Sequence, residues 1–329
     1  MGFGVSGGDV EAAYRLFFGR EPESEEVVRF HQYHPDLDSL RRAFLGSEEF
    51  LSAIKGTPDA NALALRSVTV PPLAIEVSTS SEVLALMLRK TAAYWSRIGT
   101  EAPHWSVLTA ERFFPENIVA NREAFFETSK LDEELMVASL ARAGFQPSDF
   151  RSCLEFGCGV GRLTFRLASL FQSVSGVDIS LPHLQLAEEY CSRLKLRNVN
   201  FTQVSVENLV PATGFDFWFS RIVLQHNPPP VIMEILRRVF RLLPIGGVAM
   251  FQVPVYCTGY QFSTKRYLDL PVEENMEMHC LPQKAIFDEA DLCGMRLLDV
   301  REDTSSSIGQ QWKWISNNFV FLKTRASAD

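Results

Sequence analysis

Residues 154–164 read LEFGCGVGRLT, an apolar approach, an acid at position 155 and glycines at 157, 159 and 161. Glycine is the residue that lets a chain turn where a Cβ would obstruct it or hold a ligand off the main chain. The stretch therefore predicts a tight turn at the end of a strand, open to something bound. The flanks agree. Ser152–Phe156 reads as a strand and Leu163–Leu170 as a helix, followed by a strand at Ser173–Ile179, a helix at Pro182–Leu194 and a strand at Val199–Val204. Further on, Phe215–Ser220 is a strand, Pro228–Leu243 a helix and Val248–Val253 a strand. Strands separated by helices of this length make right-handed crossovers and a parallel sheet. Two last strands, Arg296–Arg301 and Asn318–Thr324, have only an irregular polar loop between them, so the final strand is expected antiparallel to its predecessor. The prediction is an α/β, Rossmann-like, seven-stranded sheet, mostly parallel, with a helical domain before it.

In an open parallel sheet a ligand sits beyond the carboxyl ends of the strands, at the turn into the first helix. Asp178 ends the second strand 21 residues after Gly157, where its carboxylate can accept from both hydroxyls of a ribose. A dinucleotide and S-adenosylmethionine both suit that arrangement. The dinucleotide pattern G-x-G-x-x-G fails here, because its third glycine would fall on Arg162. Glu155, two residues before the first glycine, suits the ammonium of an amino-acid tail better than a pyrophosphate. The residues favour the sulfonium cofactor, S-adenosyl-L-methionine.

Five words in order carry a family resemblance: LEFGCGVGRLT, GVDIS, FTQVSVENL, FDFWFSRIVLQHNP and LLPIGGVAMFQVP. Together they make residues 150–324 resemble a class I S-adenosylmethionine-dependent methyltransferase. The resemblance implies that Glu155 holds the methionine ammonium and that Gly157, Cys158, Gly159 and Gly161 form the turn beneath the cofactor. It implies ribose binding by Asp178, an adenine face covered by Ile179, and an adenine edge met by the Val206 amide. Ser205 stands where the family commonly has an acid, so Ser205 or Glu207 is expected to substitute; Ser220 is placed at the cofactor as well. Cys158 also reads simply as a small filler between glycines. Histidine often follows the fourth strand in small-molecule methyltransferases, which makes His226 the candidate general base, with a structural or orienting role as the alternative.

The first fifty residues read as three short helices between Asp9 and Ala53. Their words YRLFFGREPE and LRRAFLGSEEF resemble a small helical module of bacterial proteins, often found beside glycan-handling domains. The expected organisation is a helical module at 1–56, a linker and helical lid segment at 57–146, and the methyltransferase domain at 147–329. Within the middle segment, Ser81–Arg97 is expected to be a helix capped by Ser80 or Ser81, with a stripe through Val83, Leu84, Leu86, Met87 and Tyr94. The aromatic stretch Trp105–Phe126 and the insert Tyr256–Leu281 are expected to form a lid and acceptor pocket, with Trp105, Tyr256, Tyr260 and His279 as substrate residues; packing alone is the plainer account of the same aromatics.

Composition bounds the rest. The formal charge is 32 − 40 = −8, which disfavours general nucleic-acid binding, a property of clustered Lys and Arg. Six cysteines without a C-x-x-C pair suggest reduced, buried thiols. His31 and His34 are three apart near Asp36 and Asp38, but surface polarity explains them better than a metal, and no metal is expected. With no apolar run of membrane length and no signal-like start, a cytoplasmic enzyme with no membrane span is the expectation. The expected reaction moves a methyl group to an oxygen or nitrogen of a small molecule or glycan. The alternatives are a non-catalytic scaffold or sensor with the same fold, and a nicotinamide-dependent oxidoreductase.

Overall fold

The structure is a computed structural model and describes residues 5–47, 49–50, 72–211, 213–271, 276–303 and 314–327. The start of the segment expected at 57–146, up to residue 71, and most of the polar loop before the final strand lie outside the described residues. The chain divides into two units, Met1–Pro72 and Leu73–Asp329.

In the first unit, helices run at Gly7–Phe18, Glu25–His31 and Leu37–Leu45. The first starts in a reciprocal cap: Ser6 Oγ accepts from the Asp9 amide at 3.2 Å while Asp9 Oδ2 accepts from the Ser6 amide at 2.9 Å. It stops at Gly19 in the left-handed region. Val10, Tyr14, Leu40 and Phe44 make a small core. His31 and His34 stack at 5.8 Å, and among the described residues no group of three His, Cys, Asp or Glu is arranged to hold a metal ion.

The second unit is a seven-stranded sheet in the order β3-β2-β1-β4-β5-β7-β6. The strands are β1 Ser152–Phe156, β2 Ser173–Asp178, β3 Val199–Gln203, β4 Phe217–Ser220, β5 Val248–Cys257, β6 Met295–Glu302 and β7 Trp314–Lys323. The first five run parallel, whereas β7 pairs antiparallel with both β5 and β6. Both faces are covered, as a parallel core requires: on β4, Phe217 and Phe219 join one cluster and Trp218 the other. Because β1 lies between β2 and β4, the crossovers leave it in opposite directions and a crevice opens at its carboxyl end.

Several boundaries differ from the sequence reading for identifiable reasons. The helix expected at Leu163–Leu170 is regular only over Thr164–Leu167, and Asn198 Nδ2 takes the Ala168 and Phe171 carbonyls that a longer helix would use. Pro254 cannot donate to a ladder, which ended the reading of β5 at Val253. The strand instead continues to Cys257 through a register shift between Pro254 and Tyr256. The helix Ser81–Glu101 is capped by Ser80 and is four residues longer than expected. Leu86, placed on its buried stripe, is 48% exposed; Leu88, two residues on and so about half a turn round the helix, is 2% exposed.

Candidate functional site

The glycine turn leaves β1 by hanging from β2: the amides of Gly157 and Cys158 both donate to the Val177 carbonyl, at 2.7 and 3.1 Å. Gly157 has φ +78 and Gly159 φ +54, and a Cβ on either would lie 2.3 Å from a methyl of Val223 or 2.8 Å from one of Val107. No other residue fits the turn. Asp178, at the end of β2, faces it. Its Oδ2 accepts from the Gly159 amide at 2.9 Å and its Oδ1 from the Ser180 amide at 2.9 Å, and each oxygen keeps a lone pair for a ligand.

Across the turn, Glu155 is 6% exposed and accepts from the Thr164 hydroxyl at 2.5 Å. Burial pushes its carboxyl up to about 7, against the smaller pull of Thr164 and Arg162. Beside it Asp132 joins two arginines, Arg162 and Arg221, and Arg221 reaches Asp303 at 3.3 Å. Glu155, Asp132, Arg162 and Arg221 all border one cavity of about 340 Å³.

That cavity is walled by Glu155, Gly157, Cys158, Gly159, Asp178, Ile179 and His226 among the residues singled out from sequence. The others stand off it. Gly161 bends the chain behind the turn at φ +81, where a Cβ would strike the Phe165 ring. Ser220 donates to the Phe156 carbonyl at 3.0 Å and ties β4 to β1 beneath the turn. Ser205 closes a local turn with Asn208, Glu207 is fully exposed in that turn, and Val206 packs against the core; Val204 and Leu209 supply the wall at that point. Trp105 stacks on Phe114 at 5.0 Å, and Tyr256 lies in β5 opposite Ile315. Tyr260 and His279 are bonded to one another at 2.7 Å, behind the wall.

His226 follows β4 in a single helical turn, Leu224–His226. Its Nδ1 lies 2.8 Å from the Glu277 carbonyl oxygen, and Gln225 Nε2 is 3.3 Å from its Nε2. Burial lowers its pKa to about 4, so the ring is neutral near pH 7. Trp95 meets the ring edge-on with centroids 5.3 Å apart.

Sequence reasoning missed part of this lining. Leu88, Thr91 and Trp95 share one face of the 81–101 helix, a spacing visible as an apolar stripe but not as a ligand wall. Met276 and Met278 come from the insert, and Asp132 from a helix outside the recognised words. Ile222 has φ +56, a conformation costly for a β-branched residue. Its amide donates to Gln252 Oε1 at 2.9 Å, which holds the strained link between β4 and the His226 turn.

Residues 153–247 match the family described as a methyltransferase domain. The match begins in β1 and ends before β5, so it contains Glu155, the glycine turn, Asp178 and His226. The chain is 30% identical over 110 residues to a ubiquinone biosynthesis O-methyltransferase of Paracidovorax citrulli, covering 33% of this chain and 45% of that protein. It is 26% identical over 102 residues to a tRNA/tmRNA (uracil-C(5))-methyltransferase of Campylobacter lari, covering 31% and 29%. The chain thus spans less than half the length of these curated relatives. Among solved structures, magnesium protoporphyrin IX methyltransferase from Synechocystis PCC 6803, with bound S-adenosylhomocysteine, aligns over 72% of this chain and 99% of its own, at 16% identity and TM-score 0.49. An N-methyltransferase from Bradyrhizobium japonicum, also with S-adenosylhomocysteine, aligns over 72% and 100%, at 13% identity and TM-score 0.47.

Proposed function

We propose that the cavity binds S-adenosyl-L-methionine and that the protein transfers its methyl group to an oxygen or nitrogen of a small molecule or glycan. The observation that carries this reading is the Asp178 carboxylate turned toward the Gly159 amide, across from buried Glu155, around a cradle with no room for a Cβ. In this reading Asp178 takes the ribose hydroxyls and Ile179 and Val204 flank the adenine. Glu155 takes the tail ammonium, and Arg162 and Arg221 supply positive charge for its carboxylate. When bound, the cofactor supplies a methyl group already activated on a sulfonium.

The protein's own part is alignment in a dry cleft, which is the larger share of catalysis when the electrophile is preformed. His226, neutral and with only the long 3.3 Å contact from Gln225 on its Nε2 lone pair, takes the proton that an acceptor hydroxyl gives up. A cytoplasmic place of work belongs to the same proposal; among the described residues no helix is long and apolar enough to cross a membrane.

Calorimetry with S-adenosylhomocysteine and with NAD tests the reading. Wild type is expected to bind the first and ignore the second, and Asp178→Ala to weaken binding roughly 100-fold, the loss of two charge-assisted hydrogen bonds. Methyl transfer from labelled cofactor into an extract of the source cell separates an enzyme from a scaffold. No binding at saturating ligand ends the proposal.

A further inference from the structure

We propose that Glu277 is a positioning residue, which fixes which ring nitrogen of His226 faces the cavity; this rests on the reading of His226 given above. The argument begins at the Glu277 main chain. Its carbonyl oxygen, 2.8 Å from His226 Nδ1, can only accept, so Nδ1 carries the proton and Nε2 keeps the lone pair. Gln225 donates its amide toward that lone pair from 3.3 Å.

A loop carbonyl selects a tautomer only while the loop is held. Here the side chain of the same residue holds it. Glu277 Oε2 accepts from the Tyr267 hydroxyl at 3.0 Å and from His279 Nε2 at 3.1 Å. The Tyr260 hydroxyl donates to His279 Nδ1 at 2.7 Å, which leaves the His279 proton on Nε2, toward Glu277. Main-chain bonds brace the same strip: the His279 amide donates to the Gln225 carbonyl at 2.7 Å and the Leu281 amide to Pro254 at 2.9 Å. Lys90 Nζ, donating to the Tyr267 and Leu270 carbonyls, anchors the helix that carries Tyr267. Burial raises the Glu277 carboxyl, but its bonds with His279 and Tyr267 outweigh this and keep it below its usual range. Met276 and Met278 border the cavity on either side, so one clamp sets both the wall and the orientation of His226.

The test is long-range proton–nitrogen NMR of the full chain, with the His226 signals assigned by their loss in His226→Asn. Wild type is expected to show the Nδ1-protonated form. Glu277→Ala, which removes the acceptor of both donors, is expected to shift His226 toward a mixture of tautomers. Glu277→Gln keeps the volume and one acceptor, so it decides the question should alanine fail to fold, and it is expected to give a smaller shift. Both variants retaining the wild-type tautomer would overturn the proposal. In turnover with a labelled acceptor fraction, Glu277→Ala is expected to lower kcat about tenfold with cofactor affinity unchanged, and to lower nothing further in a His226→Ala background. An equal loss in that background also overturns it. Failure of the wild type to bind S-adenosylhomocysteine would sink the functional reading instead, while the tautomer measurement still decides the role of Glu277.

Discussion

At the scale of single residues, Glu155 couples the site to pH. Its folded pKa of about 7 lies above its ordinary 4.5, so the folded protein binds more protons than the unfolded chain between those values. Stability falls with rising pH across that window, by an amount of order 3 kcal/mol from this group. His226 has the opposite sign: lowered to about 4, it adds stability that is complete above about 6.5 and lost as pH falls toward 4. Glu155→Gln removes the first contribution alone. Its melting temperature relative to wild type is therefore expected to climb from pH 5 to pH 7.5, measured by scanning calorimetry. An ammonium brought against Glu155 favours the carboxylate, so binding S-adenosylhomocysteine at pH 6 is expected to release a proton in wild type and none in Glu155→Gln. Titrations in buffers of different ionisation enthalpy read this directly. A wild-type affinity flat through pH 7 would remove the ammonium from Glu155.

The residues legible in the sequence are those whose role is local. Glu155, the glycines and Asp178 lie within a few positions of two adjacent strand ends, so the strand pattern alone brings them together. Asp132 and Trp95 gave no such signal, because each reaches the cavity from a helix whose register is set by packing. Ser205 and Glu207 do not border the cavity, because both sit in a turn of their own that Asn208 closes.

At the scale of elements, the glycine turn and the helices above it must be assembled together, since Val107 and Val223 occupy the space a side chain would need. Gly157→Ala meets both an unfavourable φ of +78 and a methyl at 2.3 Å, whereas Gly214→Ala meets φ +75 with nothing within 4 Å. The expected losses are about 3 kcal/mol for Gly157→Ala and about 1 kcal/mol for Gly214→Ala by chemical denaturation, because only the first adds a steric clash to the backbone cost. Equal losses would mean that Val223 yields freely. The strands were readable because short apolar runs, buried on both faces, stand between helices. The short helix after the turn was not, because Asn198, distant in sequence, decides where it stops.

At the scale of the whole molecule, two separate apolar cores divide the chain: Val10, Tyr14, Leu40 and Phe44 in the first unit, and the two faces of the sheet in the second. A fragment of residues 73–329 is expected to unfold cooperatively and to bind S-adenosylhomocysteine as the full chain does, within about threefold; a tenfold loss would mean that the helical unit contributes to the site. The chain divides after Pro72, within the Gly-, Pro- and Ser-broken stretch 56–78 that the sequence reading took for a linker.

The place of β7, wedged between β5 and β6, governs how this chain is born. Until residues 314–323 have left the ribosome, β5 presents a bare row of amides and carbonyls beside Phe251, and β6 has no neighbour at all. Closure of the sheet thus waits on β7, and a chain cut short before residue 314 leaves the edge of β5 bare and β6 unpaired, an exposed edge that invites aggregation.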